Sequence, residues 1–127
     1  YRYADVLLLK AEALIMQDTP DLEGAADIID KVRDRAKLGA LSSSTRSNKD
    51  ALLNALLKER RLELAFEGQR WFDLVRLDKV EEVMNAVYAK DSGRKAQIYT
   101  FDKNSYRLPI PQSVIDANDK IHQNPGY

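Results

Sequence analysis

The stretch ERRLELAFEGQRWFDLVR, Glu59 to Arg76, decides how this chain is read. It carries four arginines (Arg60, Arg61, Arg70, Arg76), four acids (Glu59, Glu63, Glu67, Asp73) and the single tryptophan, Trp71. The glutamates recur every four residues, so on a continuous helix they share one face. Like charges in such a row disfavour the helix unless something offsets them. Partners stand at helical spacing: Arg60 lies three residues before Glu63, Arg70 three after Glu67 and three before Asp73, and Arg76 three after Asp73. Leu62, Leu64, Ala65 and Phe66 interleave with the charges, and Phe72, Leu74 and Val75 follow Trp71. Charges set in so apolar a run are half buried and must pair, because unpaired burial is costly. The planar guanidinium suits carboxylates. Glu59, Arg60, Glu63, Glu67, Arg70, Trp71, Asp73 and Arg76 are therefore expected to be structural. They would form an ion-pair lattice pinning a third helix to a fourth and to the C-terminal tail, with Trp71 in the core.

Chemical readings of the same residues are weaker. Glycoside hydrolysis needs two carboxyl groups about 5–10 Å apart in a cleft. Glu63 and Glu67 meet that distance, but so does any helix with two glutamates at this spacing, so no enzyme is expected. A di-metal helical bundle needs Glu-x-x-His motifs. The one histidine, His122, sits near the far end in a loop and reads as solvent-facing. No metal or other cofactor is expected. The chain has no cysteine, hence no disulfide, thiolate nucleophile or cysteine-held metal. Twenty basic and twenty acidic residues cancel, which gives no support to a nucleic-acid partner or a polybasic membrane surface. No apolar run reaches the roughly eighteen residues of a membrane span. No signal peptide is visible. The chain begins at Tyr1 and is at once periodic and apolar, like the middle of a longer protein.

Outward from the charged stretch, 127 residues suffice for one core. YADVLLLKAEALIMQ (3–17) is apolar nearly all round. Val6, Leu9, Ala13 and Met16 form one stripe, and Leu7, Ala11 and Leu14 another, which predicts a helix buried on both faces. Thr19 suits an N-cap, Pro20 the first helical position, and Asp21 and Glu23 the positive helix end. A second helix is expected over roughly 21–37, burying Ala25, Ile28, Ile29, Val32 and Ala36, with Gly39 as its left-handed cap. SSSTRSN (42–48) reads as a flexible linker, and Ser47 with Asp50 fits a capping box. The third helix is expected over 49–67, with Gly68 breaking or kinking it, and a fourth with the stripe Leu77, Val80, Met84 and Val87. After Lys90 the character changes. DSGR (91–94) is a turn or loop, and QIYTFD (97–102) a strand or extended piece. YRLPIPQ (106–112) is extended around Pro109 and Pro111. QSVIDAN (112–118) makes a turn or two of helix, and NPGY (124–127) closes as a turn. Tyr99, Tyr106 and Tyr127 are expected to fasten this tail. The small-and-large spacing of Ala11, Leu14, Ala25, Ile29 and Val32 loosely matches tetratricopeptide repeats. The fold class is mainly α: tetratricopeptide-like helical hairpins over 1–89 and an irregular C-terminal tail over 90–127 that packs back on them.

Five blocks occur in order: RYADVLLLKAEAL (2–14), KVRDRAKLGAL (31–41), ERRLELAFEGQRWFDLVR (59–76), RLPIPQSVIDAN (107–118) and QNPGY (123–127). Together they resemble the C-terminal part of the SusD/RagB family, over nearly the whole chain. The sequence departs from the family's pattern at Leu77-Asp78, where Trp-Gly is frequent, and at Asp119, where proline is frequent. The resemblance implies a C-terminal fragment of a nutrient-binding lipoprotein on the outer surface of Bacteroidetes cells. Such proteins are built on tetratricopeptide-like hairpins and cap a SusC-like TonB-dependent outer-membrane transporter. They deliver glycans or other nutrients and do not catalyse. Their lipid anchor is an N-terminal cysteine, absent from this chain. Glycan contacts come mostly from upstream loops, so the resemblance implies a mainly scaffold role here and carries no ligand-binding residue over to this sequence, leaving those residues unknown. The rival reading is a free-standing helical-repeat protein–protein interaction module, which predicts an exposed groove from the first and third helices.

Overall fold

The computed structural model describes residues 2–90 and 100–127. Among them the elements are helices α1 (Tyr3–Ile15), α2 (Leu22–Arg35), α3 (Ser43–Arg46), α4 (Lys49–Glu63), α5 (Arg70–Arg76) and α6 (Val80–Lys90), a 3-10 turn (Lys103–Tyr106) and α7 (Gln112–Asp116). The described residues contain no strand, so the chain is mainly α as its periodicity predicts. They form two compact units that divide between Arg70 and Trp71. The change of character at residue 90 falls inside the second unit.

In the first unit α1 packs on α2 and α4, and α3 packs on α4. The core is Leu8, Ala11 and Ile15 from α1, Ala25, Ala26, Ile28, Ile29 and Val32 from α2, and Leu52 and Leu56 from α4. Alanines at the α1–α2 contact let the backbones approach closely, which gives the tetratricopeptide-like hairpin its tight pairing. The α2 stripe is the expected one except for Ala36, which caps the helix and is exposed. The expectation for α1 is corrected. Its buried face is Asp5, Leu8, Ala11 and Ile15, and Leu7 and Leu14 pack at the edge of the core. Val6, Leu9 and Met16 lie open. Within this unit α1 has neighbours on one face only, so a helix apolar all round leaves its second stripe uncovered.

Helix ends differ from the expected ones, each for a local reason. Asp21, not Thr19, caps α2, its carboxylate accepting from the Gly24 N–H at 2.9 Å. A Cβ on Gly24 would stand 2.3 Å from that carboxylate, so a side chain there would require the Asp21 carboxylate to shift. α2 closes on Lys37 at φ 60° rather than on Gly39. The Lys37 N–H donates to the Asp34 carbonyl and the Leu38 N–H to the Arg33 carbonyl. The segment expected to be a flexible linker holds α3, capped by Ser42. Asn48, not Ser47, caps α4, accepting from the Ala51 N–H at 2.9 Å. α4 ends at Glu63, short of the expected residue 67, because Phe66 and Gly68 both take left-handed backbone at φ 66° and 74°.

In the second unit the single fourth helix expected from the sequence is two. Asp78 at φ 53° separates α5 from α6, and the Lys79 N–H returns to the Leu74 carbonyl at 2.8 Å. Leu74 and Val80 are buried on either side of the break, while Val87 is half exposed. Trp71 meets Phe101 and Tyr106 edge-on, each at 6.2 Å, and Phe101 stacks on Tyr88 at 5.7 Å. Trp71 is only partly buried and Phe72 points to solvent. The segment around Pro109 and Pro111 is non-helical up to α7, as the prolines dictate. NPGY closes as a turn on Gly126 at φ 96°. DSGR, Tyr99 and the first half of QIYTFD lie outside the described residues.

Candidate functional site

The charged stretch does form ion pairs, but mostly with residues far away in sequence. Arg60 Nη1 stands 2.9 Å from Asp5 Oδ1, and both side chains are almost wholly buried, at 2% and 6% exposure. Glu59 is also buried and accepts from Arg33 Nη1 at 3.1 Å, while Arg33 Nε donates to the Gly39 carbonyl at 2.8 Å. Glu63 lies between Arg2 at 2.8 Å and Arg35 at 2.6 Å, and Arg2 also donates to the Glu63 backbone carbonyl. Glu67 is held by Arg2 at 2.8 Å. Those two carboxylates hold the Arg2 guanidinium above its ordinary pKa, Glu67 contributing most. Arg70 donates to the Leu57 carbonyl at 3.0 Å, stitching the start of α5 to α4.

This corrects the expected ladder. With the helix broken after Glu63, Glu67 leaves the shared face and turns to Arg2. Glu63 is taken by Arg2 and Arg35, and Arg60 reaches α1. One pair forms at the expected spacing, Asp73–Arg76 at 2.7 Å, within α5. Within the first unit these bonds pin α4 to α1 and α2. Sequence reasoning missed Arg2, Asp5, Arg33 and Arg35. Asp5 carried a signal: an acid three residues before Leu8, on the stripe that continues through Leu8 to Ile15, where burial demands a cation. A second cluster was also missed. Arg46, in the supposed linker, reaches Glu23, Asp27 and Asp30 on α2. Its guanidinium is held above its ordinary pKa, first by Glu23 and then by Asp27.

The carboxylates proposed for hydrolysis are thus committed to guanidinium groups. That arrangement orients helices; it does not set an acid and a base across a cleft. His122 is exposed in the tail. Among the described residues no group of histidine and acid side chains is disposed to hold a metal.

Concavities mark the surface of the described residues. A groove of about 450 Å³ runs between the start of α1 and the end of α2, lined by Arg2, Tyr3, Ala4, Leu7, Lys31, Val32 and Arg35. A smaller one of about 220 Å³ lies at the α4 end beside Arg61 and Phe66. Another, about 210 Å³, is in the tail beside Lys103, Tyr106 and Asn124. The Tyr106 hydroxyl is enclosed without a hydrogen-bond partner. Burial, then the negative Asp78 and Glu81, push its pKa up.

Paired helices clamped by interhelical ion pairs define a helical-hairpin scaffold of tetratricopeptide-like type. The SusD family model matches residues 1–127, and the chain belongs to that family. It is 38% identical over 133 residues to SusD-like protein P2 of Formosa agariphila, a match covering 99% of this chain and 25% of that protein. It is 43% identical over 93 residues to SusD-like protein P38 of the same organism, covering 68% of this chain and 18% of the relative. The crystal structure of a SusD-like protein from Bacteroides fragilis is similar at a TM-score of 0.73 and 29% identity, over 99% of this chain and 25% of that one. The chain therefore spans a quarter or less of the length of these proteins. No described helix is long and apolar enough to cross a membrane.

Proposed function

We propose that this chain is the scaffold region of a cell-surface protein that binds glycans or other nutrients and works with a SusC-like TonB-dependent transporter. The parent would be held at the outer membrane by an N-terminal lipid outside this chain. The observation that carries the reading is family membership along the whole chain, joined to a charged stretch spent on internal pairing. A binding protein needs a rigid frame, and buried pairs that cannot be opened cheaply supply one. The same commitment of Glu63 and Glu67 argues for binding without catalysis. In this reading Glu59, Arg60, Glu63, Glu67, Arg70, Asp73 and Arg76 hold helices, Trp71 holds the tail, and ligand loops lie elsewhere in the parent.

Calorimetric titration of this chain and of its full-length parent against a panel of soluble polysaccharides tests it. Binding by the parent alone is expected. Binding by this chain would overturn the scaffold assignment and direct attention to Trp71 and Tyr106. No binding by either would favour the protein-interaction reading instead.

A further inference from the structure

Two fixed turns build the hollow in the tail. Asp102 caps the 3-10 turn, its carboxylate accepting from the Ser105 N–H at 3.1 Å and from the Ser105 hydroxyl at 3.0 Å. The closing turn is clamped on its other side. Asn124 donates to the Leu108 carbonyl, and Gln123 holds both polar groups of Ile110. The turns meet at Gly126, where a Cβ would stand 2.9 Å from Asn104 Cβ. Lys103, Asn104, Tyr106, Arg107, Asn124 and Pro125 line the hollow of about 210 Å³.

The lining is chemically one-sided, with two cations and no acid. Arg107 is exposed, and among the described residues no acid pairs with its guanidinium. Lys103 is held loosely, 3.5 Å from Asp78, with the two side chains 72% and 68% exposed. Asp102 is spent on its own turn, and the acids that act on Tyr106, Asp78 and Glu81, stand outside the lining. The Tyr106 hydroxyl is enclosed without a partner. Enclosed polar groups are nearly always satisfied, by protein, water or ligand. The cations sharing its hollow select an acceptor that carries negative charge. Size and charge narrow the occupant. The hollow is smaller than the roughly 300–1,000 Å³ of pockets for drug-sized ligands. A single negative charge matches one guanidinium and one ammonium shared with Asp78. A dianion would meet Asp78 and Glu81 with too little compensation. A carboxylate also presents two oxygens to the planar arginine fork. We propose that Arg107, Lys103 and the Tyr106 hydroxyl bind the carboxylate of a small organic acid in this hollow, between Asn104 and Asn124. The inference is independent of what the parent binds elsewhere.

The test is an amide chemical-shift titration of this chain with sodium acetate at constant ionic strength, sodium chloride making up the balance. Saturable shifts are expected at Asn104, Arg107 and Asn124. Arg107→Ala should weaken the affinity at least about tenfold, as losing a charge-assisted pair does. Arg107→Lys should recover only part of it, because a point charge lacks the fork. Tyr106→Phe should weaken it by a smaller factor, about threefold. Acetamide, which has the shape without the charge, should shift nothing, and sulfate should bind more weakly than acetate. Equal shifts with acetamide would overturn the proposal, as would an affinity untouched by Arg107→Ala or tighter binding of sulfate. Shifts that never saturate and spread to exposed lysines such as Lys10 and Lys49 would mean general ion association and overturn it too. In the full-length protein that contains this chain, acetate should raise Tm above equimolar chloride, and Arg107→Ala should abolish the difference. No difference in the unmodified full-length protein would show that the hollow is no site there and would overturn the proposal.

Discussion

The two units solve the same problem with different chemistry. In the first, helices satisfy their own backbone, so polar side chains are free to bond one another. Arg60 takes Asp5, Arg33 takes Glu59, and Arg35 takes Glu63. In the second, the tail has little regular structure and its backbone groups need partners. Amide side chains supply them. Asn85 both donates to the Phe101 carbonyl at 3.1 Å and accepts from its N–H at 2.9 Å. Gln123 does the same for Ile110 at 2.9 and 2.8 Å, and Asn124 donates to the Leu108 carbonyl at 2.7 Å. An amide carries a donor and an acceptor side by side, so it substitutes for a neighbouring strand where a carboxylate or guanidinium could not. Charge pairs therefore lock helix to helix, while amides lock side chain to backbone.

The sharpest way to break the first mode is Arg60→Ala. It strands the buried Asp5 carboxylate, and urea unfolding should show a loss of about 3–5 kcal/mol. Asp5→Leu with Arg60→Met should be more stable than Arg60→Ala, because it also removes the stranded Asp5 carboxylate. A double variant as unstable as the single would mean that packing around Arg60, not its charge, holds α4 to α1. In the second unit the largest effect belongs to Trp71→Ala. The ring is partly exposed, so the loss should be about 2 kcal/mol, below the range for a fully buried tryptophan. It should appear as lost amide protection at Phe101 and Tyr106 and leave Leu8 and Ile29 unchanged. Loss at all four would mean that the aromatic cluster supports the first unit as well.

Helices and core were legible where the signal is local. The α2 stripe, the proline-directed extension after Tyr106 and the mainly α class follow from periodicity and from two residue types with fixed backbone habits. The lattice was legible as to composition and not as to partners. Spacing in sequence reports neighbours three and four apart, whereas Arg60 and Asp5 meet only once α4 packs on α1. Turn closures were missed for a related reason. Glycine rules point to Gly39 and Gly68, but Lys37, Phe66 and Asp78 also adopt left-handed backbone. Aspartate tolerates that region readily; lysine and phenylalanine take it when the fold overrides their preference. The open stripe on α1 was unreadable because apolar periodicity does not say which of a helix's stripes a neighbour covers.

A smaller contrast sets Gln123→Ala against Arg35→Ala. Gln123 bonds both polar groups of the Ile110 backbone, and losing it should cost about 1–2 kcal/mol, seen as faster exchange of the Ile110 amide. Arg35 is 64% exposed, and Glu63 keeps Arg2, so Arg35→Ala should cost less than about 0.5 kcal/mol and lose even that in high salt. If Arg35→Ala proves the costlier, the exposed rim contributes more to the lattice than its solvent contact allows.

The smallest effect is confined to alkaline pH and concerns Tyr106. Burial and the acids Asp78 and Glu81 raise its folded pKa above the ordinary value of 10.0. The folded state then keeps a proton that the unfolded state has released. Stability from this group is complete below about pH 10 and declines as pH climbs through the raised folded value. Tyr106→Phe removes the titrating group while keeping the ring against Trp71. Its stability measured against wild type should be flat to about pH 9 and then rise, because only wild type loses this contribution. The variant should be at least as stable as wild type at pH 7, since the enclosed hydroxyl has no partner to lose. A variant that is weaker at pH 7 would show that the hydroxyl is hydrogen-bonded in solution, and the second unit would then hold one more side-chain-to-backbone clamp than the amides provide.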